Sequence, residues 1–382
     1  MNVPFIDLAA QQKRIRGDLD RRIARVLDHG QFILGPEIEE LEKTMASFVG
    51  VKHAIGVSSG TDALLIALMA LGIKAGDEIV TTPFTFMATG EMIALLGAKP
   101  VFADINPKTY NLCPRAAEKA ITSKTKAIVP VSLYGQCADF DAFNELGKKW
   151  GLPIIEDAAQ SFGALYKNKR SCGLSEISCT SFFPSKPLGG YGDGGACFTN
   201  DDRLAKLMRE VLNHGQERRY YHTRIGINGR LDTIQAAILL AKWPLLAEEL
   251  GTRDRIGKRY SDLIREKIGT KATVPHIESW NTSAYAQYTV QIAGGPAVRE
   301  KVQAFLQKNG VPTSVHYPVP LNLQPAFAEM KIGPGSFPEA DKASQTVLSL
   351  PMDAYLTEER QNYVVEKLAE AFSECPQPNL IV

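Results

Sequence analysis

The sequence predicts an α/β protein with a large domain, whose mostly parallel sheet lies between helices, and a smaller C-terminal α+β domain. Between residues 54 and 156, short apolar segments alternate with amphipathic ones. This alternation is typical of βαβ units, and strands that are apolar throughout are typical of a parallel sheet buried on both faces. Beyond residue 250 the order of helices and strands becomes mixed. We therefore predict a large domain over residues 1–247 and a small domain over residues 248–382.

The individual elements follow from hydrophobic spacing. Residues 11–27 carry Ile15, Leu19, Ile23 and Val26 on one face, which is typical of an amphipathic helix, and residues 37–49 form a second helix. The alternating region should contain strands at 54–57, 78–81, 100–104, 127–133 and 153–156, and helices at 61–71, 86–96, 114–121 and 139–150. The remaining elements are a strand at 196–200, a helix at 201–213, an apolar domain-joining helix at 231–250 that Pro244 interrupts, helices at 252–267, 297–308 and 357–372, and strands at 286–292 and 313–317.

Composition narrows the class of protein. The 382 residues include 43 Lys and Arg against 42 Asp and Glu, so no charge excess points to nucleic acid or to an anionic membrane. Six cysteines are scattered without a C-x-x-C pair, which suits a reducing compartment and argues against a zinc site or a disulfide framework. The first residues lack the layout of a signal peptide, and no apolar run approaches the length of a membrane span. We expect a cytoplasmic globular protein.

A single lysine, Lys186, precedes Pro187 in a glycine-rich stretch over residues 181–195. Pro187 favours an extended backbone at Lys186, and the glycines allow turns that residues with side chains avoid. This constraint favours a lysine held for chemistry, although a mobile surface loop is the alternative. Residues 190–195 also match the G-x-G-x-x-G dinucleotide pattern, but that fingerprint must open a helix, and here a strand is predicted to follow.

Two other segments follow predicted strands, where parallel sheets bind ligands. The first contains Gly60 and Thr61 at the start of an apolar helix, where backbone amides could hold a phosphate; a plain helix cap is the alternative. The second places Asp157 at the end of a buried strand, where its poorly solvated carboxylate needs a cationic partner, with Gln160 three residues later. A capping aspartate is the alternative for Asp157.

Together these segments predict one ligand with a phosphate, an aromatic nitrogen that pairs with a buried carboxylate, and a carbonyl that accepts a lysine. Pyridoxal 5'-phosphate (PLP) has all three features. Phe86, which follows another predicted strand, could stack on its ring; a core aromatic is the alternative. Ser181 precedes Lys186 by five residues in the same stretch.

The chain resembles the DegT/DnrJ/EryC1/StrS family of sugar-nucleotide aminotransferases, which are PLP enzymes of fold-type I. The resemblance runs from Pro4 to about Ala371. It rests on the motifs Ser-Gly-Thr-Asp-Ala-Leu, Glu-Asp-Ala-Ala-Gln-Ser-Phe-Gly, Ser-Phe-Phe-Pro-Ser-Lys, Gly-Asp-Gly-Gly and Arg-Leu-Asp-Thr-Ile-Gln-Ala-Ala-Ile-Leu. Pro187 is a departure, since the family commonly has asparagine after the lysine. Sugar dehydratases of the family have histidine in place of Lys186, so the resemblance disfavours a dehydratase.

The resemblance also implies roles for individual residues. Lys186 would form the Schiff base with PLP and act as the catalytic base, Asp157 would pair with the ring nitrogen, and Gln160 would approach the ring oxygen. The residues implied to complete the cofactor site are Gly60, Thr61 and Ser181 at the phosphate, Phe86 on the ring, and Asn228 reaching the phosphate from a partner subunit. A shared site of this kind implies an obligate homodimer.

The C-terminal part of the chain resembles the branch that aminates C3 of UDP-2-acetamido-2-deoxy-3-oxo-D-glucuronate for lipopolysaccharide O-antigen sugars, with L-glutamate as amino donor. The implied substrate contacts are Gly30, Phe32, Ser185, Arg230, His316 and Tyr317. Arg230 would bind the uronate carboxylate, because arginine pairs with carboxylates in a bidentate manner. A dimer-interface ion pair is the alternative for Arg230, and an interdomain histidine is the alternative for His316.

Three other functions stay open at this point. One is amination of C3 or C4 of a keto-6-deoxy sugar nucleotide by the same chemistry. Another is a non-catalytic family member that keeps PLP as a structural or regulatory ligand, although the intact set of Lys186, Asp157 and Gln160 argues against it. The third is a simple nucleotide-binding protein that uses the glycines at 190–195.

Overall fold

The computed structural model describes residue 1 and residues 3–374. Its helices are α1 (Leu8–His29), α2 (Pro36–Val49), α3 (Gly60–Ala70), α4 (Met87–Leu95), α5 (Pro114–Lys119), α6 (Phe140–Trp150), α7 (Asp202–Val211), α8 (Thr233–Lys242), α9 (Leu246–Lys267), α10 (Pro296–Lys308), α11 (Pro338–Thr346) and α12 (Glu358–Glu374). Its strands are β1 (His53–Val57), β2 (Glu78–Thr81), β3 (Lys99–Phe102), β4 (Thr125–Ile128), β5 (Ile155–Asp157), β6 (Leu165–Tyr166), β7 (Lys169–Arg170), β8 (Ile177–Ser181), β9 (Gly195–Thr199), β10 (Gln216–Arg218), β11 (Tyr221–His222), β12 (Ala272–Thr273), β13 (Tyr288–Ile292) and β14 (Val347–Leu350).

The large sheet runs in the order β3-β2-β4-β5-β8-β9-β1. Strands β3, β2 and β4 pair in parallel, and so do β5 and β8. Parallel bridges Ile128–Ile154 and Val131–Asp157 continue the sheet from β4 to β5. Only β9 is reversed, since it pairs antiparallel with both β8 and β1. The predicted mostly parallel sheet is confirmed, and the carboxyl ends of the other strands meet at one edge.

Both faces of this sheet are buried. On β9, Cys197 joins a core with α3, α4 and α7, whereas its neighbours Ala196 and Phe198 join a second core with α2 and α8. Side chains of a strand alternate between the two faces, so one strand serves two cores. This explains why the strands are apolar throughout.

The C-terminal residues form a second, smaller sheet. Strands β12, β13 and β14 pair antiparallel, and helices α9, α10 and α12 pack against them in a core that also contains Val3. No helix among the described residues is long and apolar enough to cross a membrane. The division into domains at residues 247 and 248 stays a prediction.

Several predicted elements differ from the structure. The strand predicted at 313–317 was wrong: this segment makes only a single antiparallel bridge, Ser314–Ser349. It lies between Pro312 and Pro318, which cannot donate to a ladder. The predicted helix 231–250 is two helices, α8 and α9, joined by a short 3-10 turn at Trp243–Leu245, and α9 begins six residues earlier than the helix predicted at 252–267.

Candidate active site

Four strands of the large sheet bring predicted site residues to one edge. Asp157 is the last residue of β5, Ser181 is the last residue of β8, and Gly60 opens α3 three residues after β1 ends. Phe86 follows β2 as the cap of α4. Because β1, β2, β5 and β8 run in the same direction, these residues gather on the side where parallel sheets bind ligands.

Asp157 is a buried carboxylate with two hydrogen bonds. Thr89 donates its hydroxyl to one oxygen over 2.7 Å, and the Ala159 N–H donates to the other over 3.2 Å. Burial raises the pKa of Asp157, while the hydrogen bonds and the positive charge of Lys186 act in the opposite direction. The carboxylate therefore gains from a nearby cation.

Lys186 lies in a turn between β8 and β9. Its N–H donates to the carbonyl of Phe183 over 2.9 Å, and the Phe182 carbonyl accepts from the Gly190 N–H over 2.7 Å. Burial lowers the pKa of the Lys186 ammonium to about 8, and the charge of Asp157 opposes this shift. A lysine with a lowered pKa is more often in the neutral form, which attacks carbonyl groups.

The start of α3 forms a cradle beside Ser181. A Cβ atom placed on Gly60 would lie 2.6 Å from the Ser181 Cβ, so only glycine allows this approach. Ser59 caps the helix by accepting from the Asp62 N–H, which excludes Thr61 and Asp62 as the cap. Among the described residues, the N–H groups of Gly60 and Thr61 have no hydrogen-bond partner. Free amides at a helix N-terminus are suited to bind a phosphate.

Gln160 connects the sheet edge to the C-terminal part of the chain. Its side-chain oxygen accepts from the Tyr134 N–H over 2.7 Å, and its nitrogen donates to the Tyr317 hydroxyl over 3.0 Å. Phe86 is 57% exposed, and its ring centroid lies 6.1 Å from that of Tyr317. The exposed ring excludes the alternative that Phe86 is a core aromatic, and it is free to contact a ligand.

His316 lies next to Tyr317 and is held by the C-terminal sheet. Its Nδ1 atom is 2.8 Å from the Ser349 hydroxyl, and its backbone carbonyl accepts from the Tyr134 hydroxyl. Burial lowers the pKa of His316 to about 4, with a smaller contribution from the charge of Lys186. The imidazole is therefore neutral at physiological pH. Ser185 lines a small pocket together with Lys186.

Among the other four predicted site residues, Arg230 is held near this group by its backbone, which forms an antiparallel bridge with Val57 at the end of β1, three residues before Gly60. Gly30 ends α1 in a left-handed conformation, and Phe32 is 47% exposed. Asn228 is exposed, and Arg230 donates to the Asn213 side-chain oxygen over 2.6 Å. Among the described contacts, none of the four makes a hydrogen bond to Lys186, Asp157 or Gln160.

The residues at the sheet edge fit PLP. The cradle at Gly60 and Thr61 offers unpaired amides to a phosphate, buried Asp157 suits a protonated ring nitrogen, and Lys186 suits a carbonyl. The G-x-G-x-x-G match at 190–195 is followed by β9 and not by a helix, so it does not form a dinucleotide site.

Sequence reasoning missed residues that position this group. Thr89 is the hydroxyl donor to Asp157, and Tyr134 bridges Gln160 and His316. Glu156 was also missed: its fully buried carboxylate accepts hydrogen bonds from Ser171, Ser178 and the Cys172 N–H over 2.7 to 3.0 Å. Burial raises the pKa of Glu156 to about 7 despite these bonds.

Glu156 should make stability depend on pH. In the folded protein its carboxyl keeps the proton up to a pKa of about 7, whereas the unfolded chain loses it near the ordinary value of 4.5. Its contribution is therefore complete below the unfolded pKa and is lost as the pH rises through about 7. In Glu156→Gln, the fall in the free energy of unfolding across this window should shrink by roughly 3 kcal/mol. Urea unfolding at several pH values measures this, and an unchanged pH dependence would contradict it.

Several known proteins are similar to this chain. A sequence profile of the DegT/DnrJ/EryC1/StrS aminotransferase family matches residues 13–369. The UDP-2-acetamido-2-deoxy-3-oxo-D-glucuronate aminotransferase of Pseudomonas aeruginosa is 58% identical over 354 residues, which cover 93% of this chain and 96% of that protein. A pleiotropic regulatory protein of Geobacillus stearothermophilus is 45% identical over 372 residues, which cover 97% and 99%. The crystal structure of a DegT DnrJ EryC1 StrS aminotransferase from Brucella abortus superposes with a TM-score of 0.91 at 41% identity, covering 97% of this chain and 99% of that one.

Proposed function

The chain belongs to the DegT/DnrJ/EryC1/StrS aminotransferase family, and we propose that it moves an amino group from L-glutamate to C3 of UDP-2-acetamido-2-deoxy-3-oxo-D-glucuronate. It is a PLP-dependent sugar-nucleotide aminotransferase. The observation that carries amino transfer is the position of Asp157 at the end of β5 and of Lys186 shortly after the end of β8, at the edge where parallel sheets bind ligands. They are close enough that the charge of each acts on the pKa of the other. The substrate rests on the 58% identity to the Pseudomonas enzyme. The enzyme would work in the cytoplasm, and its product would serve the synthesis of surface polysaccharide.

The residues divide the work of this reaction. Asp157 would hold a proton on the ring nitrogen of PLP, and Gln160 would contact the ring oxygen. Gly60, Thr61 and Ser181 would bind the phosphate, and Phe86 would stack on the ring. When bound, PLP supplies an electron sink that weakens bonds to the carbon bearing the amino group. The free amine of Lys186 would take the proton from the α-carbon of glutamate in the first half of the reaction and would deliver one to C3 of the sugar in the second half. Its lowered pKa keeps a neutral amine available for this transfer.

Thr89 and Tyr134 act on these residues indirectly. The Thr89 hydroxyl fixes the Asp157 carboxylate by a 2.7 Å hydrogen bond, which offsets part of the effect of burial and favours the ionised form. Tyr134 fixes the side-chain oxygen of Gln160, so the Gln160 amide nitrogen points towards Tyr317. Neutral His316 can then donate or accept a hydrogen bond at the sugar without adding a charge.

We propose that the working form is a homodimer in which each subunit completes the other's site. Asn228 reaches the cofactor phosphate and Arg230 the substrate carboxylate of the partner, while Gly30 and Phe32 contact the sugar nucleotide. Exposed apolar side chains support an interface, since Ile225 is 86% exposed beside the short hairpin of β10 and β11, and Tyr220 at its tip is 80% exposed. Light scattering at several protein concentrations tests the dimer.

The substitution Arg230→Gln should weaken binding of a uronate substrate but not of a substrate without a carboxylate. Losing a bidentate contact to the uronate carboxylate should raise KM for the 3-oxo-glucuronate by about 10- to 100-fold. A keto-6-deoxy sugar nucleotide has no such carboxylate, so its KM should change little. Steady-state kinetics with both sugars measures the difference.

Asn213→Ala is the matched control, because Asn213 accepts the hydrogen bond of Arg230 within the chain. If Arg230 acts only by supporting the local structure, both variants will lose activity on both sugars to the same extent, which would contradict a carboxylate contact.

Mixed dimers test whether the site is shared. Co-expressing Lys186→Ala chains with Arg230→Gln chains should restore an intact site in each mixed dimer, roughly a quarter of all sites by random assortment.

Two alternatives are separated by the same assays. Brisk amination of a keto-6-deoxy sugar nucleotide with no turnover of the uronate would assign the chain to that substrate class. The Geobacillus relative is named a regulatory protein. If this chain had a regulatory role without catalysis, L-glutamate would leave the absorbance of its bound PLP unchanged.

A further inference from the structure

Lys242, the last residue of α8, is a buried lysine that the proposed reaction does not use. Its residue surface is only 2% exposed, and among the described residues no carboxylate lies within ion-pair distance of it. Its Nζ atom donates to the carbonyl oxygen of Gly189 over 2.6 Å. Burial lowers the pKa of Lys242 to about 8, and the charge of Glu249 opposes this shift. Burying an ammonium is costly, so its single strong contact calls for an explanation.

The acceptor of this hydrogen bond touches the turn that carries Lys186. A Cβ atom placed on Gly189 would lie 2.4 Å from the carbonyl oxygen of Pro184 and 2.7 Å from that of Phe183. The Phe183 carbonyl is the one that accepts from the Lys186 N–H. A displacement of Gly189 would therefore also displace the Pro184 and Phe183 carbonyls, the second of which holds the Lys186 N–H. The missing side chain at Gly189 is what permits this packing.

A second residue of α8 holds the same loop. The side-chain oxygen of Gln235 accepts from the Tyr191 N–H over 3.0 Å. Cβ atoms on Gly190 and Gly192 would lie 2.8 Å and 2.7 Å from the Gln235 side chain, so the loop wraps closely around it. Gln235 stands two helical turns before Lys242, so both side chains lie on one face of α8.

The loop also contacts the charge on Lys242 directly. The Nζ atom lies 4.1 Å from the centroid of the Tyr191 ring, which is a cation–π contact. The ring in turn packs against a small core formed by Ile15, Leu19 and Ile238 of α1 and α8. Residues 189–191 are therefore held by one hydrogen bond to a cation, one to an amide and one aromatic contact.

We propose that Lys242 is a positioning residue that holds the turn carrying Lys186 by binding the Gly189 carbonyl. It touches neither cofactor nor substrate and acts only through the loop. The effect on turnover rests on the proposed amino transfer. The ordering of the loop does not depend on that reaction. The proposal for Lys242 and the proposed function can therefore fail separately.

Three substitutions test this proposal. Lys242→Met keeps length and burial but removes the donor, Lys242→Arg keeps a cationic donor, and Phe143→Leu weakens a separate core without touching the loop. Hydrogen exchange of residues 182–192 is measured without cofactor, visible circular dichroism is measured with PLP bound, and urea unfolding gives the stability of each variant.

The expected results follow from loss of one hydrogen bond to a charged group. In Lys242→Met, exchange at residues 182–192 should become about 10- to 100-fold faster, the circular dichroism of bound PLP should fall, and kcat should drop about 10-fold or more with KM nearly unchanged. Lys242→Arg should restore most of each signal. The proposal is overturned if Lys242→Met exchanges like the wild-type protein, or if Phe143→Leu at equal loss of stability gives the same changes.

Discussion

Lys186→Ala should abolish amino transfer while leaving the fold intact. Lys186 is expected both to bind the cofactor carbonyl and to move the proton, so its loss should lower kcat by at least about 10³-fold. The side chain is partly buried at the end of a turn whose backbone hydrogen bonds do not involve it, so stability should change little. The loss of kcat is measured by monitoring formation of the amino sugar with mass spectrometry.

Lys186→Arg is the control that separates charge from chemistry. Arginine keeps a positive charge near Asp157 but stays protonated at every accessible pH, so it can serve neither as nucleophile nor as base. We expect it to be as inactive as Lys186→Ala. Substantial activity in Lys186→Arg would mean that the position supplies only a charge, and this would contradict the assigned role.

Asp157→Asn should give the second largest loss. The carboxylate is buried and hydrogen-bonded by Thr89 and Ala159, so an amide of the same shape should preserve the fold and the binding of PLP. The amide cannot stabilise a protonated ring nitrogen, and kcat should fall on the order of 10²- to 10³-fold. Single-turnover kinetics with L-glutamate measures the first half of the reaction alone.

Thr89→Val is the graded control for Asp157. It removes one hydrogen bond to the carboxylate but leaves the charge, so the loss in kcat should be about 10-fold, well below that of Asp157→Asn. Equal losses in the two variants would indicate that the site responds to disturbed packing and not to the charge of Asp157.

The sequence predicted the central residues of the site because chain order alone places them. Asp157 and Gly60 follow apolar strands, and the ends of parallel strands meet at one edge whatever the details of packing. Lys186 was marked by its proline and glycine neighbours. The structure adds that Phe86 is exposed, which removes the core alternative that the sequence left open.

Residues that act through long-range contacts could not be predicted in this way. Thr89 lies 68 positions from Asp157, and Tyr134 lies 182 positions from His316, so no local pattern marks either contact. Lys242 is the last residue of an apolar helix, where the sequence indicates only an ordinary exposed lysine. In the structure it is buried and donates to the Gly189 carbonyl. The strand predicted at 313–317 was wrong for a related reason. The segment has the composition of a strand, but it forms only one bridge to the neighbouring sheet.

The most direct test of the account is amination of UDP-2-acetamido-2-deoxy-3-oxo-D-glucuronate by the purified PLP-loaded protein, with ¹⁵N-labelled L-glutamate as donor. We predict that the label appears at C3 of the sugar, that 2-oxoglutarate forms in equal amount, and that Lys186→Ala yields neither product. Absence of label in the sugar, while wild-type protein retains bound PLP, would contradict the proposed function.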